Sequence, residues 1–345
     1  MGHGLRHPAD LAAWRRWHES RHPVRSAARS VRARLRPVAA AQADLLTPGP
    51  DADVLVAVEA THASVDRAVI APLAHLEAAR TAIVAPTGWQ PPEAYARHSR
   101  RTIRLADLST EVRPRSVLAA GHYTEIGAAA FAASRQHRST FFVAQHGALT
   151  PVAPPLPPDA HLLAWSDLDA AFWTSGRTDV QMTAVGSQLL WTASERRDGS
   201  PSAGPLTYLG QGHAAEIRRS RLARAALVTC REHGAVYRPH PSERDVTSRA
   251  VLAAYDRAGV TVDTRGVPLA DLDAPVVSVF STGVLEAAAR GRDAWVDFQR
   301  PPAWLGEFWE RYAMHRLGTL PTPAPARPEH EPARRVAEVV TEAAS

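Results

Sequence analysis

Short continuous apolar runs, each followed by a helical stretch, recur along most of this chain, and that alternation constrains the fold more than any other feature. Between residues 53 and 147 the runs are "VLVAVE", "TAIVAP", "SVLAAG" and "TFFVAQHG". The helical stretches among them are "APLAHLEAAR", "PPEAYARHS" and "IGAAAFAASRQH". A strand buried on both faces reads as a continuous apolar run, and a helix between strands returns the chain to lay down a parallel neighbour. "HLLAWS" and "DVQMTAVG" add two further strands, with a helix opening near Ser166 or Asp167 between them. The pattern restarts at "LTYLGQ". A loop "GHAAEI", a helix over 218–233, the strand "AVYRPHP" and a helix over 242–258 capped by Ser242 follow. Next come "VTVDT", a short helix near "PLADLD", "VVSVF", the loop "STG", the helix "VLEAAARG" and the strand "AWVDF".

The predicted fold class is α/β, with two Rossmann-like doubly wound domains on either side of a ligand cleft. Residues 1–47 form a basic helical segment, 48–200 a first domain and 201–325 a second. Residues 326–345 form a helix expected to pack back across the boundary. The proline-rich loop 148–160 and the polar stretch "TASERRDGSPSAG" lack ladder-forming sequence, and the second places the boundary near residue 200.

At 345 residues, with 45% apolar and 22% charged side chains, each domain can bury its own core. The net charge of +5 is carried entirely by arginine, for all 40 Lys+Arg residues are Arg. That bias fits a GC-rich coding background, and with no RNA-binding signature or zinc-finger spacing beside it no nucleic-acid partner is expected. A single cysteine, Cys230, excludes an intramolecular disulfide and any multi-cysteine metal site. The amino terminus lacks the apolar core of a signal peptide, and no apolar stretch approaches a membrane span, so a cytoplasmic protein is expected. Nine arginines precede Val38, and Trp14 and Trp17 lie beside Arg15 and Arg16. Residues 1–36 are therefore expected either to touch an anionic membrane surface peripherally or to pack a tryptophan-bearing helix onto the body.

Three stretches can carry chemistry. In "VYRPHPSERD", Pro239 and Pro241 stop a strand, leaving Arg238 and His240 at its carboxyl end, where open α/β sheets bind ligands. In "FSTGVLEAAARG", Ser281, Thr282 and Gly283 sit between strand and helix, so N–H groups, hydroxyls and the helix dipole face a phosphate. An ordinary N-cap accounts for the same residues. Glu286 is either a capping carboxylate or an acceptor for a sugar hydroxyl. In "FFVAQHGALTP", His146 follows a strand, Gly147 permits a sharp turn, and Gln145 can orient the histidine or bind an acceptor. "GQGHAAEIRRS" is too incomplete a fingerprint for a nicotinamide cofactor, though Gly210, Gln211 and His213 can form a phosphate- or sugar-facing loop. Three Asp-X-Asp triplets, at 51–53, 167–169 and 271–273, fall at strand starts and helix caps. No metal and no resident cofactor are expected.

"RPHP" ending a strand, followed by "STG" and a helix bearing Glu286, resembles the His-Pro and Ser/Thr motifs of two-domain GT-B transferases. The likeness is to teichoic-acid-type CDP-glycerol glycerophosphotransferases and to bacterial sialyl- and polysialyltransferases. "QHG" at 145–147 is similar to the His-Gly element of the glycerophosphotransferases. The resemblance covers residues 140–300. It lacks the longer Trp-His-Gly-Thr context and a clear Asp/Glu-Asp/Glu-Gly motif. It implies His146 as the base on an acceptor hydroxyl, and Arg238, His240, Ser281 and Thr282 on the phosphates of a nucleotide-linked donor (CMP, CDP or UDP). The implied acceptor is a polysaccharide or lipid-linked precursor of a capsule or teichoic-acid-like polymer. A nucleotide-sugar 2-epimerase and a catalytically degenerate binder of the same architecture are the alternatives.

Overall fold

Alternate residues of the apolar runs enter two separate cores, as a sheet covered on both faces requires. The computed structural model describes residues 4–21, 40–49, 52–59 and 63–345. Asp51 and the stretch 22–39 of the basic segment lie outside the described residues. The chain divides into two units, Met1–Leu189 with Pro328–Ser345, and Leu190–Arg327. The division falls ahead of the expected boundary near residue 200. The polar stretch belongs to the second unit because the buried Arg292 donates to Asp198 and to the Ser200 carbonyl.

In the first unit α1 (Leu11–Arg21) precedes β1 (Gln42–Thr47), β2 (Val54–Ala57), β3 (Thr81–Ala85), β4 (Ser99–Arg104) and β5 (Ser116–Ala119). Then come α2 (Glu125–His137), β6 (Thr140–Ala144), β7 (His161–Ala164), α3 (Asp167–Thr174) and β8 (Gln181–Ala184). The sheet order is β4-β1-β3-β2-β5-β6-β7-β8. Neighbours from β3 to β8 are parallel, while β1 lies antiparallel between β3 and β4. The result is an α/β unit with a mostly parallel sheet, compatible with a Rossmann-like fold.

Leu55, Ala57, Val117, Ala119, Phe141 and Val143 meet α2 and α3 through Ile126, Ala130, Ala133 and Phe172. Val54, Val56, Leu118, Phe142 and Ala144 face the other way, onto Val65, Val69 and Leu73 and onto Val336, Ala337 and Val340 of the carboxyl-terminal helix. That helix, Pro332–Glu342, is thus part of the first unit, and each valine it buries contributes about 1.5–3 kcal/mol. Two expectations fail here for physical reasons. "APLAHLEAAR" forms only short turns at Ala71–Ala74 and Ala78–Arg80; the first continues directly from Asp66–Ile70, so Pro72 falls inside a longer helical stretch and removes one of its amides. "PPEAYARHS" gives one turn at Glu93–Tyr95 and then β4, which buries only Ile103 and so carries no apolar run to announce it.

The second unit contains α4 (Gln188–Glu195, entering from the first), β9 (Thr207–Leu209), α5 (Arg219–His233), β10 (Val236–Arg238) and α6 (Val246–Arg257). It continues with β11 (Val276–Ser278), α7 (Thr282–Ala289), β12 (Ala294–Val296) and α8 (Ala303–Arg311); the carboxyl-terminal helix is α9. The sheet order is β10-β9-β11-β12, all parallel. "VTVDT" supplies only a bridge from Val262 to Tyr237, outside β10. Ser242 does not cap α6. Asp245 does, accepting from the Ser248 amide at 2.7 Å, because residues 239–244 are drawn into a turn around Glu243. Among the described residues no helix is long and apolar enough to cross a membrane.

Candidate functional site

In an open parallel sheet the loops after two adjacent strands part where the strand order reverses, leaving a crevice at their carboxyl ends. In the second unit that point lies between β9 and β11, since the chain leaves β9 for β10 on one side and returns to β11 on the other. Three loops end there: 210–213, 239–243 and 279–283. The Gln211 side-chain carbonyl joins the first to the last, accepting from Ser278 Oγ at 3.1 Å and the Phe280 amide at 2.9 Å. Glu243 joins the first to the second. It accepts from the Gly212 amide at 2.9 Å, the His240 amide at 3.3 Å and the Tyr237 hydroxyl at 2.8 Å. A side chain at Gly210 would collide with the Tyr237 hydroxyl and Glu243, so only glycine lets these loops approach.

Some of the sequence-derived residues stand at the ends of these loops and others are bound into the scaffold beneath them. His213 and His240 come together as stacked imidazoles, 3.8 Å between centroids and 20° apart in plane. The His240 Nδ1 accepts from the Ser242 amide at 3.1 Å. Ser281 is the N-cap of α7, its hydroxyl accepting from the Gly283 amide at 3.1 Å. Thr282 opens α7, and Glu286 lies half-buried one turn on. A methyl at Gly283 would press on Leu269 and Leu209, so the helix start sits tight against the end of β9. Arg238 turns to the Val267 carbonyl, with Asp263 4.0 Å from its other nitrogen. The buried Gln211 is a strut.

In the first unit Gln145 is a strut as well. It donates to the Gly147 carbonyl and to the buried Asp169, and its own carbonyl accepts from the Trp165 amide at 2.9 Å. His146 follows β6, half-buried, at the carboxyl edge of the sheet. Of the Asp-X-Asp carboxylates, Asp53 pairs with Arg80, Asp169 with Gln145, Asp271 with Arg196, and Asp273 with Arg290 and Arg292. Among the described residues no group of three His, Cys, Asp or Glu side chains is placed to hold a metal ion.

No protein-family model matches this chain, and no curated protein is significantly similar to it. The chemistry therefore rests on the side chains themselves.

Sequence reasoning missed the crevice of the first unit, between β2 and β5. There the chain leaves β2 for β3 on one side and returns to β5 on the other. Glu59 follows β2, and Gly121, His122, Tyr123 and Thr124 follow β5, with Thr124 capping α2 through the Gly127 amide at 3.1 Å. The Glu59 carboxyl lies against the first turn of α2, since a methyl at Gly127 would collide with both Glu59 Oε1 and the Gly121 carbonyl. Burial pushes the Glu59 carboxyl up from its ordinary 4.5 to about 7, against the hydrogen bond from Thr124 that favours ionisation. Burial, with the charges of Arg15 and Arg177, pushes the His122 imidazole down from 6.5 to about 4. Both groups are thus uncharged over much of the range between, an acid and a base displaced in opposite senses at one crevice. The signal in the sequence is only that Glu59 closes "VLVAVE" and His122 follows "SVLAAG". The neighbour relation of those two runs is not written there.

α1 reaches this crevice. The Trp14 indole donates to the Val152 carbonyl at 2.7 Å, its ring lies 5.8 Å from that of Tyr123, and Arg15 donates to the Tyr123 carbonyl. Trp14, one of two tryptophans considered for a membrane surface, is packed onto the first unit.

Proposed function

We propose that the chain is a GT-B-type transferase that moves a sugar or polyol-phosphate group from a nucleotide-activated donor, CMP-, CDP- or UDP-linked, to a hydroxyl of a cell-surface polymer or its precursor. The observation that carries this is the convergence of stacked His213 and His240 with the Ser281–Gly283 helix start on the reversal point of the second unit's sheet. An amide-lined helix start favours an anion. An imidazole beside it can disperse the charge that grows on a departing phosphate. His146, at the carboxyl edge of the first unit's sheet, is the base that the resemblance assigns to the acceptor hydroxyl. The bond of Arg238 Nη2 to the Val267 carbonyl favours a second reading, a nucleotide-binding protein without turnover, while its Nη1, 4.0 Å from Asp263, is buried with no hydrogen-bond partner among the described residues.

Thermal unfolding of the full chain with CMP, CDP, UDP, GDP and ADP tests the donor site. A ligand at a hundredfold excess over its Kd stabilises the native state by about 2.7 kcal/mol. The expected result is a selective rise in Tm that disappears in His240→Ala and shrinks in Ser281→Ala. No rise with any nucleotide rejects both readings, while a rise without donor consumption, whatever hydroxyl acceptor is added, selects the second.

A further inference from the structure

The geometry points to a binding site for an uncharged polyhydroxy ligand, a sugar or a polyol, where Glu59 and His122 follow β2 and β5 and Trp14 and Tyr123 offer aromatic faces. The position is the reversal point of the first unit's sheet, where a crevice is built in by topology. Two polar atoms in it are buried with no hydrogen-bond partner among the described residues: Glu59 Oε1 and His122 Nδ1. His122 itself is 9% exposed. Leaving such an atom unmet costs free energy that a ligand supplying the missing bond recovers.

The chemistry of the missing bonds selects the ligand. A phosphate brings acceptor oxygens and charge, and above about pH 7, where Glu59 is ionised, the carboxylate repels it. Arg177 is paired with the Asp179 carboxylate, whereas Arg15 donates to the neutral Tyr123 carbonyl and keeps its charge, so the phosphate probe reads the balance between Arg15 and Glu59. A hydroxyl both donates and accepts. It can give a proton to an ionised Glu59 or take one from its neutral form, and it can meet His122 Nδ1 in either tautomer. The Gly127 amide is taken by Thr124, and the Glu125 and Ile126 amides at the start of α2, which lack intrahelical acceptors, offer further donors to a hydroxyl oxygen.

The aromatic groups favour the same class. The Trp14 ring stacks on His18 at 5.3 Å and stands 5.8 Å from Tyr123, fixed by its bond to Val152. Apolar faces beside a few convergent polar groups are what a small-molecule site needs.

The test is ligand-observed saturation-transfer NMR on the full chain with glycerol, ribitol, glucose and N-acetylglucosamine, and with inorganic phosphate as the anionic probe. At least one uncharged probe is expected to receive saturation from the protein. Its Kd is expected to rise tenfold or more in Glu59→Ala, with a smaller rise in Glu59→Gln, which keeps an acceptor oxygen. Phosphate is expected neither to bind nor to compete. If Glu59→Ala does not fold, His122→Phe replaces it, with the same tenfold loss expected. No transfer to any uncharged probe, affinity unchanged in the variants, or displacement by phosphate each overturns the proposal. The site does not depend on the nucleotide donor. Polyol binding without a nucleotide-induced Tm rise rejects the donor reading alone, and the converse rejects this site alone.

Discussion

Replacing Glu59 by glutamine isolates a proton that the fold holds against water. In the unfolded chain the carboxyl ionises near its ordinary 4.5, and in the native state near about 7. Between those values the native state keeps a proton that the unfolded state has lost, so stability falls as pH rises. At 1.36 kcal/mol per pH unit the fall amounts to about 3 kcal/mol, complete by about pH 8. His122 works in the opposite sense. Its native value of about 4 lies below the ordinary 6.5, so the unfolded state binds the extra proton and stability rises with pH across that window, also by about 3 kcal/mol. In the wild-type protein the two slopes nearly cancel between about pH 4.5 and 6.5, and the loss from Glu59 shows above that.

Glutamine keeps the shape and cannot ionise. Glu59→Gln should therefore show the His122 rise alone and then a plateau. The assay is urea unfolding at pH 4.5, 6.5 and 8.5, read by amide exchange in β2 and β5 so that the first unit is followed by itself. Variant minus wild type should grow by about 3 kcal/mol from pH 4.5 to 8.5. A difference that stays constant with pH would refute the burial argument for Glu59.

Two further substitutions test the scaffold around each crevice. Gly127→Ala adds helix propensity worth about 0.8–1 kcal/mol, yet the methyl meets the Gly121 carbonyl as well as Glu59. The urea midpoint of the first unit should fall by an amount equivalent to more than about 2 kcal/mol, and an unchanged midpoint would show that the loop yields freely. Gln211→Ala leaves the Phe280 amide without its acceptor and Ser278 with Leu209 alone. A cost of about 1–3 kcal/mol should appear as a lower Tm of the second unit, and a wild-type Tm would deny the strut role.

Some of this molecule was legible residue by residue. "VLVAVE", "SVLAAG" and "TFFVAQHG" are strands of a parallel sheet because a strand covered on both faces has no position to spare for a polar side chain. Ser166 and Ser281 are caps because a hydroxyl there meets an amide the helix leaves unmet. β4 was illegible for the converse reason: it rides at the sheet edge with five of its six residues exposed, and only pairing with β1 makes it a strand. Gln145, Gln211 and Arg238 stand where the sequence places them, at strand ends. Their partners come from strands and loops remote in the chain, and those partners turn the first two into struts and fasten the third to Asp263 and Val267. Glu59 and His122 lie 63 positions apart in sequence. What each residue is, and which local element it favours, is settled by its own covalent chemistry and its near neighbours. Which strand lies beside which, and so which carboxyl oxygen is buried without a donor, is settled only when the whole sheet closes around them.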